Sequence, residues 1–493
     1  MTRIPAFALA RTARATALAL PLVLLGACAV GPDYVRPATR APASYKEMNG
    51  WKPAQPRDHE TKGPWWTVFN DPLLDGLQQQ VTVSNQNLAV AEARYRQARA
   101  LVQVARASFF PLATADVTTG RSQAARSGTS AVASRGVINT HATTLDTTWE
   151  PDLWGRVRRL VEADVASAQA SAADLEAVRL SIQSDLAQNY FQLRVLDTQK
   201  QLLDDTVKGF ETSLRLTENL YEAGVVARAD VVQALAQLKT TQAQALDVGV
   251  QRAQLEHAIA LLVGRAPSEF SLPPAPLDVL PPPVPVGLPS ELLERRPDIA
   301  AAERRVAAAN AQIGVAQSAY FPALSLSASA GFQSTHLATW FNAPARFWSL
   351  GATLAQTLFD GGARAGQTAQ AIAAYDAEAA TYRQTVLNGF KEVEDNLAAL
   401  RILETEASVQ AEAVAASRRS VELAINQYKA GTVSYINVVT AQATALGNER
   451  TAADLLGRRL AASVLLVRAL GGGWHADTLP ARPEVIGTGE NRR

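Results

Sequence analysis

The sequence predicts a mainly α-helical chain that also carries part of a membrane β-barrel, with long coiled-coil hairpins and four strands in each copy. Three observations predict it: a 66-residue stretch without proline at 156–221, an internal duplication of the whole plan, and four strand-length segments bordered by aromatic residues. At ~1.5 Å per residue, a helix over 156–221 would run about 100 Å, far more than a compact domain can enclose. Leu193, Leu196, Leu203, Val207, Phe210, Leu214 and Tyr221 recur at spacings near three and four, with Lys200 and Thr217 interrupting. That is a coiled-coil seam, and it requires partner helices along its length. Gly224 then stands where a left-handed cap stops a helix, and a second Ala/Gln/Leu-rich helix runs back to about Val263, closing a long hairpin.

The plan recurs. An offset of 211 pairs Ala91-Glu92 with Ala302-Glu303, Arg94 with Arg305 and Phe110-Pro111 with Phe321-Pro322; an offset of 207 pairs Tyr221 and Ala223-Gly224 with Tyr428 and Ala430-Gly431. Each half reads as helix, strand, loop, strand, very long helix, glycine tip and returning helix. The first half covers 65–266 and the second 291–472. Between them, 267–290 holds nine prolines and can be neither helix nor central strand. In the first half a single helix is expected from the Asp71-Pro72 start to about Ser108, with strands over 112–121 and 137–149 around a Ser/Gly/Ala loop. After Gly471-Gly472-Gly473, residues 473–493 read as a weakly ordered tail.

The third strand alternates Leu324, Leu326, Ala328, Ala330 and Phe332 with Ser325, Ser327, Ser329 and Gly331, and the fourth alternates Trp348, Leu350, Ala352 and Leu354 with Ser349, Gly351 and Thr353. About ten residues is the length of a tilted strand crossing a bilayer. Phe109, Phe110, Trp149, Trp154, Tyr320, Phe321, Trp340, Phe341, Phe347 and Trp348 crowd the strand ends and loops. A small soluble sheet packed on a helix is the competing account, and the polar first two strands alone do not exclude it. Four strands cannot close a barrel, and lipid tolerates no open sheet edge. Three copies would supply twelve strands and a closed helical cylinder, so the arithmetic predicts a homotrimer.

The N-terminus reads as an address. Arg3, Arg11 and Arg14 precede an apolar run, and residues 1–27 have the form of a secretory signal. Leu25-Gly26-Ala27-Cys28 fits the bacterial lipobox, in which Cys28 is lipidated and becomes the mature N-terminus; an ordinary signal with an incidental cysteine is the plainer alternative. Cys28 is the chain's one cysteine, which excludes internal disulfides and cysteine-based metal clusters. Ala29 is not the aspartate of an inner-membrane retention signal, which favours the outer membrane. Residues 28–64, rich in proline and without periodicity, read as a lipid-anchored extended arm.

Composition excludes several classes. With 47 basic and 46 acidic residues the chain has no nucleic-acid footprint. Its five histidines are scattered without metal-ligand spacing, and the glycine pairs lack a phosphate-binding context. No catalytic constellation, metal site or cofactor motif is present, and the acidic groups on helices read as solvated faces.

Five motifs in order then resemble a known family: Cys28-Ala29-Val30-Gly31-Pro32-Asp33-Tyr34-Val35-Arg36-Pro37; Trp65-Trp66 with Phe69 and Asp71-Pro72-Leu73-Leu74; Arg295-Arg296-Pro297-Asp298-Ile299 with Ala302-Glu303; Phe359-Asp360-Gly361-Gly362; and Tyr428 with Ala430-Gly431, Val433-Ser434-Tyr435. Together they resemble the outer-membrane efflux lipoproteins, the TolC and OprM-like family and its NodT-like branch, over essentially the whole chain. The resemblance implies a trimeric duct through outer membrane and periplasm. It also implies docking to a periplasmic adaptor and to an inner-membrane pump of the resistance-nodulation-division class, with transport passive in the duct itself. It places adaptor docking and a gate at the hairpin tips. Gly224, Val225, Arg228, Gly431, Thr432, Val433 and Tyr435 are the expected docking residues, although turn chemistry alone accounts for the glycines. The family's constriction pairs a bulky apolar residue with an acidic one; those positions here are Ile436 and Thr440. The acidic ring is therefore missing and a hydrophobic ring is expected, with Asp230 the candidate to supply charge instead. A protein-secretion duct of the type I kind and a lipid-anchored coiled-coil scaffold without a channel remain as alternatives.

Overall fold

A computed structural model describes residues 29–39, 41–47, 64–123, 137–284 and 289–487; Cys28 lies outside the described residues. The duplicated plan is present. The first half runs α1 (Pro72–Ser84), α2 (Gln86–Ala107), β1 (Leu112–Ser122), β2 (Ile138–Trp149), α3 (Arg156–Glu222) and α4 (Arg228–Leu262). The second runs through a helical turn at Leu292–Arg295 into α5 (Pro297–Ser318), β3 (Ala323–Ser334), β4 (Arg346–Ala355), α6 (Ala363–Lys429) and α7 (Tyr435–Ala469). The halves match in length, with α3 and α6 both 67 residues and α4 and α7 both 35. The seam on α3 is buried at Leu193, Leu196, Leu203 and Phe210 and half-buried at Val207 and Leu214, whereas Tyr221, next to the turn, is exposed.

The four strands form one antiparallel sheet in the order β1-β2-β3-β4. Below it the helices keep the same order. Near the sheet, α2, α3, α5 and α6 pack side by side; toward the tips the row becomes α4, α3, α7 and α6. Each strand continues into the helix beneath it, so the chain is a strip four elements wide from end to end. β1 is exposed along its whole length, and among the described residues no long helix packs across the sheet, unlike a small soluble sheet packed on a helix.

Two expectations need correction. The first helix is not continuous to Ser108 but breaks at Asn85 between α1 and α2. Asn85 ends one helix and caps the next: its side-chain oxygen accepts from the Leu88 N–H at 3.0 Å, and its amide donates to the Leu262 carbonyl at 2.7 Å. The break thus forms where the end of α4 docks. The tail is also not weakly ordered up to Gly487. Helix α8 (Arg482–Ile486) seats Val485 against Val102, Ala105, Val157 and Val161. Arg106 donates to the Ile486 carbonyl at 3.0 Å, and Gln169 donates to that of Pro480 at 3.0 Å. Long side chains from α2 and α3 satisfy the backbone that a short sequence without periodicity could not satisfy by itself.

Extended segments wrap the middle of the strip. The proline-rich connector is held by the buried Arg194–Asp197 pair: Arg194 donates to the Pro273 carbonyl at 2.9 Å, and Asp197 accepts from the Ala275 N–H at 3.1 Å. The N-terminal arm is held by Arg159, which donates to the carbonyls of Val30 and Gly31, each at 3.2 Å, and pairs with Asp33 at 2.8 Å. Gly31 has φ +101°, and a Cβ there would lie 2.4 Å from the Gly314 Cα. The two backbones touch because both residues lack side chains. Gly31→Val should therefore detach the arm, with backbone strain of about 1–3 kcal/mol. Limited proteolysis would read faster cleavage within residues 29–47; an unchanged cleavage rate would show that this crossing does not hold the arm.

Candidate functional site

The two hairpin turns, far from the sheet, have one geometry. At the first, the Val225 N–H donates to the Leu220 carbonyl at 2.8 Å and that of Gly224 to Tyr221 at 2.9 Å; at the second, Thr432 donates to Gln427 and Gly431 to Tyr428, each at 3.0 Å. These nested bonds close the last helical turn and require a left-handed residue, supplied by Gly224 at φ +74° and Gly431 at φ +68°. A Cβ at either glycine would meet nothing within 4 Å, so the backbone conformation alone demands glycine there.

Most of the expected docking residues are accessible. Gly224, Val225, Arg228, Gly431 and Thr432 are exposed, and Val433 is half-buried. Tyr435 is not on that surface. It is 1% exposed, with its ring 5.3 Å from that of Tyr428 and packed with Ala234, Ala424, Val438 and Val439. Burial pushes its phenol up to about 12. Tyr435 thus belongs to a junction that joins the two hairpins, which corrects its expected place among the docking residues: apolar partners on neighbouring helices draw the ring inward. Tyr428 completes the junction by reaching the Thr217 hydroxyl at 3.4 Å, and Thr217 is itself buried. The sequence did carry a signal for this: Thr217 is, with Lys200, one of the two polar breaks in the seam, and it is placed where a neighbouring helix brings a hydroxyl.

Ile436 and Thr440 lie one turn apart on the same exposed face of α7, just past the second turn. Thr440 donates its hydroxyl to the Ile436 carbonyl at 2.8 Å, so that face presents an isoleucine and a threonine methyl rather than a free polar group. Asp230 stands in the first turn of α4, half-exposed, where a carboxylate complements the positive end of the helix. Helix-start chemistry accounts for Asp230, and among the described residues no hydrogen bond or ion pair joins it to Ile436 or Thr440.

Two substitutions separate turn from junction. Gly431→Val puts a β-branched residue into a left-handed conformation, costing roughly 1–2 kcal/mol, and should loosen the tip while leaving assembly intact. Tyr435→Ala should cost about 3–5 kcal/mol by emptying a packed site, whereas Tyr435→Phe should be nearly silent. Hydrogen exchange across Leu214–Ala234 and Ala424–Val439 would read both; equal protection in wild type and Tyr435→Ala would remove the junction from the account.

Residues 77–265 and 288–472 match the sequence model of the family described as outer membrane efflux protein, one segment for each half of the duplication. The pyoverdine export outer membrane protein OpmQ of Pseudomonas aeruginosa is 31% identical over 92% of this chain and 96% of its own length. The toluene efflux pump outer membrane protein TtgC of Pseudomonas putida is 31% identical over 95% of this chain and 97% of its own. Among solved structures, the outer-membrane channel OprN superposes with a TM-score of 0.84 at 33% identity, covering 91% of this chain and all of that one. The channel-forming protein CusC superposes at 0.81 with 26% identity, covering 90% of this chain and 100% of that one.

Proposed function

The chain belongs to the outer membrane efflux protein family, and from that premise we propose that three copies close into the exit duct of a tripartite efflux pump. The observation that carries the trimer is the strip itself. Its sheet has two unpaired edges, β1 and β4, and its helical part has matching edges, α2 and α4 on one side and α6 on the other. Both sides leave apolar side chains uncovered: Leu101, Val104, Leu246 and Val250 on the first, Leu387, Ile402 and Val409 on the second. Copies joined edge to edge pair the strands and cover these residues together. Three copies bring the four strands of each to twelve, wide enough for a water-filled lumen.

The duct is passive; a periplasmic adaptor and a proton-driven inner-membrane pump of the resistance-nodulation-division class supply selection and energy. Relatives named for pyoverdine export, toluene efflux and cation efflux share 29–31% identity with this chain, which supports a duct that takes small toxic compounds as its pump delivers them. The adaptor meets the exposed turns at Gly224, Val225, Arg228, Gly431, Thr432 and Val433. Ile436, with Thr440 behind it, forms the resting constriction, an apolar ring that holds back ions by excluding water.

Lipid anchoring at Cys28 fits the path of the arm. The Val30 N–H donates to the Trp154 carbonyl at 2.9 Å, and Trp154 stacks on Phe321 at 4.9 Å. Trp149, which donates to the Phe109 carbonyl, stands at the same junction of sheet and helices. Such an aromatic belt marks a membrane surface, so an acylated residue 28 would begin beside the inner leaflet of the outer membrane.

The mass of the crosslinked, detergent-extracted protein should be three times that of one chain, and a folded monomer would end the duct reading. In planar bilayers, Ile436→Ala should raise the resting conductance severalfold; wild-type conductance would move the constriction elsewhere. Cys28→Ala should abolish incorporation of labelled fatty acid, and label retained in that variant would overturn the anchor.

A further inference from the structure

The end of the sheet farthest from the helices is one-signed in charge. Among the described residues of that end, 117–123, 137–145 and 330–349 contain no acidic side chain, yet they contain Arg121 and Arg346 and two histidines, in a chain whose totals are 47 basic and 46 acidic. Arg121 and Arg346 are placed by strand register. Arg121 opposes Asn139, Thr119 opposes His141, His141 opposes Ser334, and Phe332 opposes Arg346. With the two-residue period of a strand, both arginines share a face with Val117, Leu145, Trp348 and Leu350, all exposed and apolar. Asp116 and Asp146 fall on the other face, among Thr114, Thr144 and Ser329. Both arginines are exposed, and neither has an ion-pair partner among the described residues.

An aromatic ledge covers the same corner. Trp340 lies 5.4 Å from the His141 ring and stacks on Phe341 at 5.0 Å, and Phe341 meets Phe332 edge-on at 5.5 Å. The loop between β3 and β4 is therefore folded down onto the apolar face. An arginine on the lipid side of a barrel costs ~2–4 kcal/mol at the bilayer centre but almost nothing near the surface, and each of these arginines stands at the outer end of its own strand. A guanidinium there presents a planar fork that fits phosphate, while the surrounding rings and aliphatic side chains fit acyl chains.

We propose that this corner binds an acylated, phosphate-bearing lipid of the outer leaflet. The proposal rests on the channel reading above, which puts this end of the sheet at the cell exterior. The face decides the occupant: an anionic solute in transit would meet the Ser/Thr/Asp face, whereas these cations stand on the apolar one. In a ring closed from β4 to β1, Arg346 of one copy and Arg121 of the next stand on adjacent strands, whose axes lie about 5 Å apart. The sites then fall at the subunit junctions, and a trimer holds three.

The test is native mass spectrometry of the full-length, detergent-solubilised protein titrated with bisphosphorylated lipid A, with its dephosphorylated form, and with inorganic phosphate. Wild type should take up three phosphorylated lipids per trimer. The dephosphorylated lipid, and the Arg121→Gln/Arg346→Gln variant with the phosphorylated one, should each bind at least tenfold more weakly, with trimer mass and conductance unchanged. If the double variant fails to assemble, Arg346→Gln alone carries the comparison. Equal uptake by variant and wild type overturns the proposal, as does equal uptake of the dephosphorylated lipid or full competition by free phosphate at the lipid's own concentration. A wild-type monomer would overturn the channel reading, whereas a conducting trimer without lipid overturns only this site.

Discussion

Backbone hydrogen bonding in lipid is the constraint on which the rest of the architecture depends. β1 and β4 are 11 and 10 residues long, and each pairs on one side only, so about half of the N–H and C=O groups of each have no strand partner among the described residues. At several kcal/mol for each unsatisfied group in hydrocarbon, two such edges would cost tens of kcal/mol, beyond the ~5–15 kcal/mol that holds a typical domain together. The sheet therefore cannot reside in a bilayer as one chain. Closure by other copies is the condition for insertion, and a wall that closes at the top must have the same number of elements around it below. The four-helix row under the four strands meets that condition.

Duplication is the economical way to build such a strip. Two halves with helices of equal length place both tips at the same distance from the sheet and both turns in the same conformation. What the repeats leave unfinished is the middle, where α4 and α7 end and the row changes partners. The connector and the arm fill that belt as extended chain, and extended chain needs partners for its carbonyls and N–H groups. Arg194, Asp197 and Arg159 provide them from long helices. A buried ion pair contributes little net stability against an apolar replacement, but removing one partner strands the other. Its use here is to fix where a segment without periodicity lies.

The long elements were legible in the sequence because they follow period: the α3 seam at Leu193, Leu196, Leu203 and Phe210 buries as spaced, and the alternation of β3 appears in its register with β4. Both glycine tips were legible for the same kind of reason, since a left-handed turn leaves a residue-specific mark. What was not legible depends on contacts distant in sequence. The break at Asn85 exists because the end of α4 docks there, more than 170 residues later, and the order of residues 474–487 exists because Arg106 and Gln169 catch their backbone. Tyr435 was misplaced by the same limit: proximity to a turn suggests a surface, but whether an aromatic ring faces out or joins two hairpins is decided by Tyr428 and Thr217 on other helices.

That junction has a consequence for how the proposed duct opens. Tyr428 and Tyr435 join the end of α6 to the start of α7, and through Thr217 and Ala234 they join both to the first hairpin. The two hairpins of one copy are therefore coupled at the tip, and opening that moves them together leaves this contact intact. Ile436 adjoins Tyr435, so displacement of the second turn would be transmitted directly to the proposed apolar ring. Uncovering an isoleucine costs about 1.5–3 kcal/mol, so a ring of three costs roughly 5–9 kcal/mol. A docked partner supplies this only through the difference between its affinities for the open and the closed tip, ~10⁴-fold for about 5.5 kcal/mol. In the proposed constriction of isoleucine and a self-bonded threonine no charge ring has to be broken, so docking opens it to the extent that the partner binds the open arrangement more tightly than the closed one.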